Sequence, residues 1–154
     1  MNSDVTHDDA LRERIQAYRD SLGGEKPDLD IALLFRILDL VNDLSEVRVA
    51  VDPVDDHGGW QPGAPTWSVT GVRKLDDGRV VLRVADEHHG IKAGDFYAKL
   101  EKEFEHQTGA GVPVLFARGD SVTKLTDVYS HALVHQMWAG MPFDLVLAVR
   151  SKDL

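Results

Sequence analysis

The chain contains no cysteine in its 154 residues. Disulfides, Cys-ligated zinc, iron–sulfur clusters and a thiol nucleophile are thereby excluded. A long apolar run is missing too. The most hydrophobic stretch, residues 28–44, is interrupted by Arg36 and Asp39 and falls short of a membrane span. Nor is there an excess of positive charge. Lys and Arg number 17 against 26 Asp and Glu, a formal net charge of −9. Such a chain is poorly suited to gripping phosphate backbones, so no nucleic-acid partner is expected. No serine sits in a G-x-S-x-G elbow, and no phosphate loop ending in Gly-Lys-Ser/Thr is present. The opening MNSDVTHDDALRER is acidic and polar, unlike a secretory signal, which makes cytoplasmic the expected location.

An apolar share of 43% and a charged share of 28% are those of an ordinary soluble globular chain, long enough for a real core. The expectation is one domain over residues 1–154, with 1–5 frayed. Residues 28–44, DLDIALLFRILDLVNDL, are apolar around most of a helical circumference, with Arg36, Asp39 and Asp43 as a polar stripe. A helix of that kind must be covered on most sides, so it reads as a central helix capped by Asp28. Residues 6–22 form a preceding helix, with Leu11, Ile15, Tyr18 and Leu22 on one face and Gly23-Gly24 as its stop.

Residues 45–54 alternate as a half-buried strand, Val47, Val49 and Val51 on one side. Residues 55–66, DDHGGWQPGAPT, are a long loop, and such loops often carry function. Residues 67–75 and 79–86 form a hairpin around Asp77-Gly78, read as a two-residue type I′ turn. That turn pairs Leu75 with Val80, Arg73 with Leu82 and Gly71 with Val84. It leaves Arg73 as the exception on an apolar face and sets Lys74, Arg79 and Arg83 together on the other. A helix over 95–107, a strand over 112–117, a helix over 126–139 and a strand over 143–150 follow. The β-branched residues near 121–129 make a strand there the rival to the last helix. The element order is ααβββαβαβ, an α/β or α+β fold: a mixed sheet of about five strands with helices on both faces.

Asp127, His131 and His135 recur every four residues on the predicted helix. They would share one face and present two imidazoles and a carboxylate to a divalent metal. The glutamate of the H-E-x-x-H pattern is absent, since Ala132, Leu133 and Val134 stand between the histidines. A further ligand would have to come from His88 or His89. In the long loop, His57 and Trp60 are the side chains suited to a ligand or partner. His88, His89 and Gly90 are a second candidate set, placed where a strand ends and a helix is about to begin, the usual mouth of a mixed sheet. The bland reading of each is a polar turn or a solvated helix face. Arg118-Gly119-Asp120-Ser121 reads as a strand-to-loop turn.

Residues 87–92 read EHHGIK just before a predicted helix. With the element order, less a first strand, this resembles the acetyl-CoA-dependent N-acetyltransferase superfamily. In that family a Gln/Arg-x-x-Gly-x-Gly/Ala loop cradles the cofactor pyrophosphate. Gly90 fits the pattern, while Glu87 and Lys92 depart from it. The order helix, three strands, helix, strand is also similar to the restriction-endonuclease core. Its Asp/Glu-x-Lys signature has no counterpart in Arg79-Val80-Val81-Leu82-Arg83-Val84, so that chemistry is not expected. The reading reached is a small acidic non-enzymatic interaction protein of the inhibitor, immunity or adaptor type. A protein or small ligand is its partner, and a homo-oligomer is compatible with it. The sequence indicates no cofactor. An acyl-CoA-dependent N-acetyltransferase-like enzyme is the alternative.

Overall fold

The structure is a computed structural model that describes residues 13, 16, 17, 20, 29–41, 43–57, 59–61, 63–86, 90–104, 111–119, 121–131 and 144–154. Most of the predicted first helix lies outside them. Glu13, Gln16, Ala17 and Asp20 are helical and exposed, at the spacing of a solvated face, and Gln16 donates to Asp20 at 2.8 Å.

Helix α1 is Ile31–Leu38. Six of its eight residues are buried, Arg36 being the exposed exception. Each fully buried Leu, Ile or Phe is worth roughly 1.5–3 kcal/mol over an exposed one. Packing therefore holds a helix too short to stand alone in water. Its cap is Asp30 rather than Asp28, which lies outside the described residues. The Asp30 carboxylate accepts the Leu33 N–H at 2.7 Å and, on its other oxygen, the Gly111 N–H at 3.0 Å. Ile31 N–H donates to Val112 O at 2.9 Å. The helix start is thus tied to a segment some eighty residues away in the chain.

Seven strands follow in one mixed sheet: β1 (Val47–Val51), β2 (Thr66–Lys74), β3 (Val80–Ala85), β4 (Val114–Arg118), β5 (Ser121–Lys124), β6 (Asp127–His131) and β7 (Asp144–Val149). Their spatial order is β5-β4-β3-β2-β1-β7-β6, and the sheet curls into a half-barrel. Helix α2, Ala93–Glu103, joins β3 to β4, which are parallel, as a crossover demands. β7 is parallel to β1. Among the described residues the expected count of five strands rises to seven, because β5 forms in residues assigned to no element and β6 in residues read as the start of the helix over 126–139. β5 pairs with β4 around the turn at Gly119, φ +60°. β6 pairs antiparallel with β7.

The hairpin exists, with its register one residue from expectation. Leu75 N–H donates to Arg79 O, Lys74 stands opposite Val80, and Val72 opposite Leu82. The loop therefore holds three residues, Asp76, Asp77 and Gly78, with Gly78 at φ +90° closing it in the manner of a three-residue hairpin turn. A bulge between Val69 and Gly71 then sets both Val69 and Val72 toward the core. Arg73 moves to the opposite face, beside Val81, and needs no special account. The supposed basic patch dissolves as well. Lys74 lies over the Phe104 ring, 4.9 Å from its centroid, Arg79 pairs with Asp77 in the turn, and Arg83 stands on the opposite face of the sheet.

The two fully described helices share one core with Val47, Val49, Val69, Val80, Leu82, Val114, Phe116, Leu145 and Leu147. Phe35 of α1 meets Tyr97 of α2 edge to face at 5.3 Å. Both helices therefore lie on one face of the sheet, so the expected arrangement on both faces is not what these elements form. The opposite face is nonetheless buried at Ala50, Ser68, Val146 and Ala148. β1 is thus covered on both sides, more than the half-burial its alternation suggested. Arg48 and Asp144 form an ion pair there at 3.3 Å across the parallel strands. Among the described residues no helix is long and apolar enough to cross a membrane.

Candidate functional site

β1 stops at Val51 because Asp52 turns the chain with φ +44° and Pro53 follows. The loop that begins there is built around one carboxylate. Asp55 accepts the His57 N–H at 2.9 Å and the Gly59 N–H at 2.7 Å on Oδ1, and the Gln61 side-chain amide at 3.0 Å on Oδ2. Asp55 N–H returns to Gly59 O at 2.9 Å, and Gln61 N–H donates to Pro53 O at 2.8 Å. Val54 and Trp60 are bridged as in a small antiparallel ribbon. A Cβ at position 59 would stand 2.8 Å from Asp55 Oδ2 and push that carboxylate aside. This braced turn exposes Asp56 and His57 and leaves Trp60 half-buried.

Trp60 is not part of the hydrophobic core, whereas Trp67 packs against it. Trp67 stacks on Phe116 at 6.2 Å and carries the Arg118 guanidinium 5.0 Å above its ring. Trp67 thus packs on the core, and Trp60 is half-buried within the loop.

Gly90 has a structural duty that its sequence position did not announce. Beyond Arg48 and Ser68 the strands β1 and β2 part, and residues 90–92 enter the gap. Ile91 N–H donates to Val69 O at 2.7 Å, and Val47 N–H donates to Ile91 O at 3.0 Å. A Cβ on Gly90 would stand 2.6 Å from Val47 O. At the start of α2, Ala93 and Gly94 donate to Ser45 O and Asp43 O at 2.7 and 3.0 Å. The Ile91, Ala93 and Gly94 amides of this turn are thus engaged within the chain. Gly90 and Ile91 instead end a groove of about 510 Å³, lined also by Thr70, Asp95, Lys99 and Lys102. His88 and His89 lie outside the described residues. Nothing in the sequence marked Thr70, Lys99 or Lys102. The two lysines fall on the solvated side of an amphipathic helix, where lysine is ordinary, and the bulge that exposes Thr70 has no local signature.

The helical spacing that suggested the metal triad does not hold between its first two members. Asp127 and His131 lie on β6, an extended strand, so four residues separate their Cα atoms by about 13 Å. Shared helical spacing is lost with the helix, and His135 lies outside the described residues. Among the described residues no group of three or more His, Cys, Asp or Glu gathers at metal-binding distance. No protein family, no curated protein and no solved structure matches the chain.

Proposed function

We propose that this is a non-enzymatic binding protein that engages a protein partner through the loop of residues 53–61, with Trp60 as the anchoring side chain. The observation that carries this reading is a half-buried tryptophan on a turn braced by Asp55. A rigid aromatic side chain presented on a pre-organised loop loses little entropy on association. Tryptophan is also the residue type that most often dominates an interface. The exposed Asp55 and Asp56 and the net charge of −9 favour a partner with a basic contact surface.

The test uses the whole chain, immobilised as wild type and as Trp60→Ala, to capture partners from a lysate of the native host. Each captured protein is then purified and its affinity for both forms measured. Loss of an interface tryptophan is expected to weaken binding by about 30-fold or more, equivalent to about 2 kcal/mol. The melting temperature of the variant should stay near that of the wild type. Equal affinity of the two forms for every captured protein rejects this surface.

A further inference from the structure

We propose that the groove between β2 and α2 is a binding site for a small phosphate ester, up to the size of a mononucleotide, held at its phosphate by Lys99 and Lys102. The site is separate from the Trp60 loop and does not depend on it. Its volume of about 510 Å³ falls within the usual range for small-molecule sites, roughly 300–1,000 Å³. The two lysines stand three residues apart on one helix, so their Cβ atoms are about 5–6 Å apart and both ammonium groups reach a single dianion. Among the described residues neither has a carboxylate within ion-pair distance, although acids outnumber bases in the chain. Like charges at this spacing repel one another, and a bound dianion relieves that repulsion.

The rest of the groove suits the body of such an ester. Ile91 and Ala98 offer apolar contact. Asp95, one helical turn before Lys99, supplies an acceptor for a ligand hydroxyl or amine. Thr70 is the extra residue of the β2 bulge, where the ladder is interrupted and a backbone group is released for other use. Its hydroxyl lies 3.4 Å from Arg83 O, a long contact that a ligand oxygen can replace. Gly90, which has no side chain, lines that end of the groove with backbone alone. An anion at one end and a hydroxyl acceptor at the other select a sugar phosphate or nucleotide over a simple fatty acid.

The experiment is an amide NMR titration of the full chain with AMP and with glucose 6-phosphate, set against adenosine, glucose and inorganic phosphate. The expected result is saturable shifts at Thr70, Ile91, Ala98 and Lys99 with the two esters, and none with adenosine or glucose. The double variant Lys99→Gln/Lys102→Gln should bind the esters at least about tenfold more weakly. Both lysines are exposed, so its melting temperature should match the wild type, which separates lost binding from lost folding. Absence of shifts at these amides, or undiminished binding by the double variant, overturns the site. An equal response to inorganic phosphate alone overturns the choice of an ester.

Discussion

Gly59 and Asp55 are mutually dependent. The carboxylate can reach two backbone amides and the Gln61 side chain only because nothing projects from position 59. Gly59→Ala should push the carboxylate aside and cost part of that network while leaving the distant core intact. The expected signature is faster amide exchange at His57 and at position 59 with little change in melting temperature. Unchanged exchange at both positions would show that the brace is not what orders the turn. Asp77 offers a second residue-level test. The Arg79 N–H, then the neighbouring Arg79 guanidinium, hold its carboxyl below the ordinary aspartate value. The folded state thus prefers the ionised form. That contribution is complete above the unfolded-state pKa and is lost as pH falls through the lower, folded-state one. Between about pH 5 and pH 2, Asp77→Asn should lose stability less steeply than the wild type, as read by urea denaturation at each pH. Identical slopes would contradict this. The sequence displayed Asp77-Gly78 as a turn but concealed its length, because two- and three-residue loops both favour glycine at that place.

At the scale of elements, what could be read was whatever one dominant force decides. The stretch around Ile31–Leu38 is so apolar that burial was the only stable outcome, and Val47, Val49 and Val51 face the core as their alternation required. β7 is buried at all six positions, in keeping with its unbroken apolar run. The segment from 121 to 131, where a helix from 126 and a strand over 121–129 competed, was ambiguous for the opposite reason. Its apolar residues fit a helical stripe and a strand about equally, and pairing with β4 and β7, remote in sequence, chose the strand. The hairpin register was displaced first by the three-residue loop and again beyond the bulge at Thr70, and a bulge depends on what the partner strands permit. Long-range ties also explain why α1 begins where it does. Asp30→Ala removes the helix cap and the tether to Gly111 together, and should lower stability by about 1–3 kcal/mol in urea denaturation. A loss below a few tenths of a kcal/mol would show that packing alone sets the helix start.

For the whole molecule, the curled sheet and the helices α1 and α2 leave two kinds of surface near strand ends: a braced loop after β1 and a groove beside α2. The loop was legible, because a dozen residues rich in glycine and proline with a lone tryptophan stand out in any chain. The groove was not, because its walls come from a bulge, a glycine insertion between parted strands and one helix face, which meet only after folding. The account rests most heavily on the loop being the contact surface. Hydrogen exchange across the full chain, with and without a captured partner, tests it most directly. Protection gained at Asp55, Gly59, Trp60 and Gln61 on partner addition is the predicted result. Protection gained elsewhere, with residues 53–61 exchanging as in the free protein, would contradict it.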